Sequence, residues 1–243
     1  MEKPTISAPY LICISTYNER ENLPPLVEAI FTQLPDAHLL IVDDNSPDGT
    51  GVWCDERAAG DSRLKCLHRA GKLGLGTATL DGLRYGLQHG YPVLATMDAD
   101  FSHDPKFLPA MLQRLDDNDA SMVDVVVGSR YVPGGGIEGW PLQRRLMSRG
   151  INGFARWWLG LTVNDTSGAF RVYRADILRK FDLNEVRSRG YSVFEELLWW
   201  LQRADARFAE VPIVFVDRHR GQSKITWSEA IRSLWRIVQV RYG

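Results

Sequence analysis

The stretch MDADFSHDP, residues 97–105, closes an apolar run (residues 91–97) that reads as a buried strand. In extended chain, residues i and i+2 point to the same side. Asp98 and Asp100 therefore share a face and repel each other unless something positive lies between them. The same arrangement occurs twice upstream. Residues 9–16 (PYLICIST) stop at Tyr17-Asn18-Glu19, and residues 38–42 (HLLIV) stop at DDNSPDGT, residues 43–50, a dense turn signal. Helical patterns separate the runs, over 22–33 with prolines near the first turn, 51–59, 76–89 and 105–115. Residues 64–68 and 123–127 read as further strands. Strands alternating with helices predict an α/β fold with a mostly parallel central sheet flanked by helices. In such sheets ligands collect at the carboxyl ends of the strands, where the three polar clusters fall. Carboxylates beside a ligand cleft suggest a divalent cation and a phosphate ligand.

The composition narrows the class. The chain has 243 residues, 44% hydrophobic and 24% charged, as expected of a globular protein with a sizeable core. A net charge of −1 provides no basic field for nucleic acid. Cys13, Cys54 and Cys66 are scattered and odd in number, with no CxxC pair. That argues against a zinc site or disulfide framework and for a reducing compartment. The first residues, MEKPTISAPYLIC, lack the long apolar core of a signal peptide, and no apolar run approaches the roughly 20 residues of a membrane-spanning helix.

The texture changes near residue 134. GGGIEGWP (134–141) reads as a flexible, lid-like loop, 188–202 as a helix and 209–216 as a strand. Arg130, Arg144, Arg145, Arg149, Arg156, Arg171 and Arg174 interleave with Trp140, Trp157 and Trp158, which suits an anionic, partly apolar partner. Residues 227–238 (WSEAIRSLWRIV) place Trp227, Ala230, Ile231, Leu234, Trp235 and Val238 on one helical face. The helix either packs on its own domain or lies in a membrane interface.

Several motifs keep two readings. Asp98-Ala99-Asp100 is either a metal site or a solvated strand end, with Asp104 capping the helix that Pro105 begins. Asp43 faces the cleft at a strand end, as for a ribose or base contact, or belongs merely to the turn. RAGKLGLGT (69–77) is neither a P-loop nor a dinucleotide fingerprint. It presents backbone N–H groups to an anion, or it is a plain connection. Glu195 and Glu196 are a candidate general base or helix-surface charges.

Taken in order, STYNE (15–19), VDDNSPDGT (42–50), MDADFSHDP (97–105), GSRY (128–131), RRLMSRGIN (144–152), DTSGAFRVYR (165–174) and DRHRGQSK (217–224) resemble the inverting family 2 glycosyltransferases of GT-A (Rossmann-like) fold. The polyprenyl-phosphate (dolichol-phosphate) mannose synthase branch is the most similar. The resemblance covers almost the whole chain. It implies that Tyr17, Glu19, Ile41 and Asp43 hold the nucleotide. Asp98, Ala99 and Asp100 would bind the sugar-nucleotide diphosphate, with Asp98 and Asp100 as ligands of Mg2+ or Mn2+. Arg130, Arg144 and Ser148 would hold the lipid phosphate, and Arg218 and Lys224 would close over the donor. Asp100, Arg130 and Arg218 would be catalytic. Two departures stand out. Ser15 replaces a frequent proline. Ser102 replaces a frequent glutamine ligand, with a bridging water or His103 as the substitute.

The implied reaction is inverting transfer of mannose from GDP-mannose to polyprenyl phosphate, giving a β-linked product. The implied organisation is a catalytic domain over 1–216 and a donor-closing loop and amphipathic helix over 217–243. The enzyme would sit peripherally on the cytoplasmic face of a membrane or be recruited by a separate membrane subunit. A phosphate acceptor is already ionised at neutral pH, so no general base is required, and Glu195 and Glu196 fall back to helix residues or sugar contacts. The alternatives are a UDP-sugar-dependent glucosyl- or N-acetylglucosaminyltransferase, a saccharide-extending enzyme that would need Glu195 or Glu196 as base, and a non-catalytic nucleotide-sugar binding subunit.

Overall fold

The computed structural model of the chain describes residues 9–117, 122–217 and 227–241. Its strands are β1 (Leu11–Thr16), β2 (His38–Asp43), β3 (Leu64–His68), β4 (Val93–Asp98), β5 (Val125–Ser129), β6 (Gly136–Glu138), β7 (Arg171–Arg174), β8 (Phe208–Pro212) and β9 (Val214–Val216). Its helices are α1 (Leu23–Gln33), α2 (Thr50–Gly60), α3 (Leu75–Gln88), α4 (Leu108–Asp116), α5 (Leu142–Leu159), α6 (Ala175–Leu178), α7 (Val193–Arg203) and α8 (Trp227–Val240). A short 3-10 turn, Pro105–Phe107, leads into α4, and Asp104 caps it by accepting from the Lys106 N–H.

Seven strands form the main sheet in the order β3-β2-β1-β4-β7-β5-β8. All neighbours are parallel except β7, which runs antiparallel to both β4 and β5. Both faces are buried, which is why the strands read as continuous apolar runs. Along β1, Leu11 and Cys13 face one core while Ile12 and Ile14 face the other. Along β2, Leu40 and Val42 oppose Leu39 and Ile41 in the same way.

Register sets the site. Ser15 pairs with Asp98 across β1 and β4, and Thr16 pairs with Asp43 across β1 and β2. The loops after β1, β2 and β4 therefore leave the sheet side by side. Each turns through a left-handed residue, Asn18 (φ 62°), Asn45 (φ 57°) and Phe101 (φ 60°). Asparagine tolerates that region, but a bulky phenylalanine is held there only by its surroundings.

Four expectations change. GGGIEGWP is not a free loop, because Gly136–Glu138 forms β6 and pairs in parallel with β9. The strand expected over 209–216 splits at Ile213, so β8 stays in the main sheet while β9 joins β6. β7 was not anticipated. Two of the arginines assigned to an anionic partner flank it and serve the fold instead. Arg171 is fully buried and donates to the carbonyls of Phe194 (2.7 Å) and Thr166 (2.7 Å). Arg174 donates to those of Val123 (2.9 Å) and Leu115 (2.6 Å). Finally, α8 packs on α5 and α7 through Ile237 and Val240, which join the core, while Trp235 points outward at 64% exposure. Among residues 234–240, burial therefore centres on Ile237 and Val240 and not on Trp235.

A buried cation that satisfies two carbonyls cannot be removed cheaply. Arg171→Met is expected to lower stability by about 2–4 kcal/mol in urea unfolding. An unchanged urea midpoint would show that these bonds do not hold β7 in place.

Candidate active site

Two cavities open at the carboxyl edge of the sheet. The larger, about 450 Å³, lies over β1 and β4 and is lined by Tyr17, Glu19, Asp44, Lys72 and the Asp98-Ala99-Asp100 segment. The Lys72 ammonium sits 3.9 Å from the centre of the Tyr17 ring. Asp100 Oδ1 accepts from the Ser102 N–H at 3.0 Å, which fixes one oxygen of that carboxylate. Asp98 and Asp100 thus bring two hard carboxylates to one wall, a donor set suited to a hard divalent cation.

The loop after β2 divides its aspartates. Asp43 is buried and accepts from Thr16 Oγ1 (3.1 Å) and from the Ser46 N–H (3.0 Å), so it braces the loop. Asp44 faces the cavity. Its carboxylate pairs with Arg69 and accepts from the backbone N–H groups of Leu73 (3.0 Å) and Gly74 (3.2 Å). The Gly76 N–H donates to the Arg189 carbonyl at 2.9 Å. These backbone donors of the RAGKLGLGT loop are consumed within the protein, and what the loop brings to the cavity is the Lys72 and Leu75 side chains beside Gly74. A side chain at Gly76 would collide with the backbone of Ser188 and Arg189, at 2.7 and 2.9 Å, so the third glycine of the loop is required by close packing.

The smaller cavity, about 120 Å³, is rimmed by Arg130, Arg144 and Ser148 and walled by Trp140, Phe194 and Phe215. Leu75, Asp98 and Tyr191 line both cavities. Arg130 is held by Asp165 through Nε (2.7 Å) and Nη2 (2.6 Å), and Nη2 also donates to Ser167 Oγ (2.8 Å). Its Nη1 has no hydrogen bond among the described residues. Burial opposes both charges, but their attraction outweighs it, so the Asp165 carboxyl lies below its ordinary range and the Arg130 guanidinium above its own. Arg144 stacks 3.8 Å from the Trp140 ring centre and donates to Asp217 Oδ1 at 3.0 Å. Ser148 Oγ lies 2.7 Å from the Tyr131 hydroxyl.

His103 lies behind Asp98, in contact with the rings of Phe170 and Phe215. Burial lowers its imidazole to about 4, so it is neutral at physiological pH. The Asp98 N–H donates to Nδ1 at 3.1 Å, which places the ring proton on Nε2. The 3.6 Å approach of Asp98 Oδ2 to the same nitrogen is therefore not an ion pair. With Nδ1 engaged and the ring enclosed, His103 orients the Asp98 backbone and does not replace a missing third ligand. The Ser102 hydroxyl is buried without a hydrogen-bond partner among the described residues.

The two glutamates of α7 differ. Glu196 accepts from the N–H groups of Arg187 (2.9 Å) and Ser188 (2.8 Å) and secures that loop. Glu195 is 2% exposed and lines the smaller cavity. Its Oε2 has no partner among the described residues, and burial raises its carboxyl to about 7.

Residues 11–182 match the sequence profile of Glycosyl transferase family 2. The chain belongs to this family. It is a glycosyltransferase with the GT-A fold. It is 41% identical to a polyprenol monophosphomannose synthase of Mycolicibacterium smegmatis over 230 residues, covering 94% of this chain and 85% of the relative. It is 44% identical to an undecaprenyl-phosphate mannosyltransferase of Micrococcus luteus over 216 residues, covering 89% and 87%. Among solved structures, a Pyrobaculum calidifontis mannosyltransferase in complex with GDP-Man and Mn2+ superimposes with a TM-score of 0.56 at 17% identity. That match covers 99% of this chain and 72% of the other.

Within this family 2 enzyme, Tyr17, Glu19, Asp98, Ala99 and Asp100 gather at one cavity, and Arg130, Arg144 and Ser148 at the other. Ile41 and Asp43 do not line the cavity. Ile41 is fully buried in the core, and the Asp43 carboxylate is turned into its own loop. Arg218 and Lys224 lie outside the described residues. Sequence reasoning weighed Asp44 together with Asp43 but gave the cleft to Asp43, and it assigned no role to Asp165 or Ser167, nor to Glu195 apart from Glu196. Only Asp44 had a local signal, its place beside Asp43 at a strand end. At the end of β3, outside both cavities, donor atoms of Asp55, Cys66 and His68 lie within 4.8 Å of one another. The His68 ring spans its two neighbours, with Nε2 on Asp55 (2.8 Å) and Nδ1 towards Cys66 (3.9 Å), and does not aim one nitrogen at a shared point.

Glu195 has a thermodynamic consequence. Its carboxyl titrates near 7 when folded and near the ordinary 4.5 when unfolded. Between those values the folded state binds more protons, so stability from this group is full below 4.5 and falls as pH rises through 7. Glu195→Gln is expected to flatten that fall in thermal melts taken across the same pH window. Parallel wild-type and variant curves would show that the carboxyl titrates normally.

Proposed function

We propose that this enzyme transfers mannose from GDP-mannose to a polyprenyl (dolichyl-type) monophosphate with inversion, giving a polyprenyl β-mannosyl phosphate. The observation that carries the reading is the meeting of two unlike cavities at Asp98. One is acidic and fits a donor held through a cation. The other has an arginine and serine rim on aromatic walls and fits a phosphate carried by an apolar chain. The names of the two bacterial relatives support mannose and a polyprenyl phosphate acceptor. The complex of the Pyrobaculum enzyme with GDP-Man and Mn2+ supports the donor and the metal.

Asp98 and Asp100 would hold Mg2+ or Mn2+, which when bound neutralises charge on the leaving diphosphate. Tyr17, Glu19, Asp44 and Lys72 would hold the nucleotide. Arg218 and Lys224 would close over the diphosphate. Arg130, through Nη1, and Arg144 would orient the acceptor phosphate, with Ser148 as a further hydrogen-bond donor. A phosphate monoester has a second pKa of about 6, so the attacking oxygen is ionised at neutral pH. It forms a bond to the anomeric carbon as the bond to the diphosphate oxygen breaks on the opposite face. The electron pair leaves with GDP, and no proton has to be removed.

No described helix is long and apolar enough to cross a membrane. On α5, Leu142 and Trp157 are 71% and 73% exposed, with Leu146 between them and Arg149 and Arg156 on the same helix. This basic, apolar helix is proposed to rest on an anionic membrane surface at the cytoplasmic face. Detergent-free binding to anionic phospholipid vesicles is expected, and Trp157→Glu should weaken it several-fold. Absence of vesicle binding would favour recruitment by a separate membrane subunit.

A second reading is favoured by Glu195. A buried carboxyl titrating near 7 is suited to act as a base toward a sugar hydroxyl, which would make the chain a saccharide-extending enzyme. Direct assay separates the two. With GDP-mannose, Mn2+ and a polyprenyl phosphate, the wild type should form mannosyl lipid. Asp100→Asn should lose about a hundredfold or more of the rate. Full activity in Asp100→Asn would remove the metal assignment. Thermal stabilisation by UDP-glucose or UDP-GlcNAc rather than GDP-mannose would overturn the donor.

A further inference from the structure

We propose that Glu195 is a specificity-determining residue of the acceptor cavity, present there as the neutral acid and donating a hydrogen bond to the acceptor's phosphate. The inference rests on the acceptor reading given above. Among the described residues, the other buried carboxylates near the two cavities have partners. Asp44 has Arg69, Asp165 has Arg130, and Glu196 has two backbone N–H groups. Glu195 differs in having Oε2 buried and unpartnered while its side chain lines the cavity that Arg130, Arg144 and Ser148 rim. A buried polar atom without a partner costs free energy unless a ligand supplies one. A phosphate oxygen, which only accepts, is matched by a protonated carboxyl and repelled by an ionised one.

The surroundings keep this proton decisive. The charges that bear on Glu195 are Arg171 on β7, Asp165 in the loop before it, and Arg130 after β5. Asp98, His103, Arg144 and Tyr191 also line the cavity. His103 stays neutral above about 4, and Arg130 and Asp165 stay charged, so none of these three changes state near neutrality. Glu195 has no hydrogen bond or ion pair with Asp98 or Asp100 among the described residues. As Glu195 ionises around 7, the cavity acquires a negative charge where the phosphate must sit. Acceptor affinity then follows the protonated fraction. This is the reverse of a general base, which would be active in the ionised form.

The test uses the full chain and geranylgeranyl monophosphate, titrated calorimetrically at pH 6 and pH 8 into wild type and Glu195→Gln. Glutamine keeps a donor and never ionises. The probe's own second ionisation enters both proteins equally and cancels in their ratio. The expected result is that wild type loses about tenfold more affinity than Glu195→Gln over this range. A ratio that does not change with pH overturns the inference. So does a variant that binds the probe normally but turns over at no pH, which assigns the base role instead. Failure of wild type to bind the probe at either pH overturns the acceptor reading itself. Should Glu195→Gln not fold, the side-chain carboxyl of wild-type Glu195 can be followed by carbon NMR. Its midpoint should rise when the phosphate is bound, and an unmoved midpoint overturns the inference.

Discussion

The buried pair of Arg130 and Asp165 is the constraint on which the acceptor side of the site depends. Two charges taken out of water are tolerated only when hydrogen bonds compensate them, and here they do so for the whole Asp165 carboxylate and for two of the three guanidinium nitrogens of Arg130. Asp165 accepts from Nε, Nη2 and the backbone N–H of Arg130 and from the Gly168 N–H. Its own N–H donates to Glu210 on β8 at 3.0 Å. The pair therefore ties the end of β5 to the segment entering β7 and, through Glu210, to β8. It also leaves one guanidinium edge, Nη1, for a ligand. A cation locked in this way has little rotamer freedom left to lose on binding an anion, which suits a residue that must orient rather than merely attract.

The donor side is built on the same principle, with backbone as the constrained element. Asp43 draws in the loop after β2, Asp44 draws in the loop before α3, and His103 takes the Asp98 N–H. Asp43 and His103 spend their hydrogen-bonding capacity on positioning a neighbour, whereas Asp44 does so and also lines the cavity. The cavity walls are left to Tyr17, Glu19, Asp44, Lys72, Asp98 and Asp100. The left-handed residues Asn18, Asn45 and Phe101 mark the cost of turning three adjacent loops over one edge. The two halves meet at Asp98, where a donor diphosphate and an acceptor phosphate would approach the same carbon.

Much of the framework was legible. The first four strands and the helices between them stand within a residue or two of their expected places, because apolar runs ending in acids and turn formers encode both element and boundary. The antiparallel β7 was not legible. RVYR carries two arginines, and it becomes a central strand by pairing with β4 and β5 while those arginines reach carbonyls up to 59 positions away. The outward placing of Trp235 on α8 was not legible for a related reason. Its apolar residues surround more of the helix than one stripe, and α5 and α7 select Ile237 and Val240 for burial.

Fold class, family and the carboxyl edge as the place of the site are all readable along the chain, since these follow from periodicity, local turn chemistry and ordered motifs. Tertiary structure alone decided which of several like residues face a ligand. Asp44 rather than Asp43 lines the larger cavity, Arg130 and Arg144 line the smaller one while Arg171 and Arg174 hold carbonyls, and Glu195 rather than Glu196 has a buried oxygen without a partner among the described residues. The physical reason is that a charged side chain's role is set by which distant backbone groups satisfy it first. Those partners come from other strands and helices, and no local pattern records them.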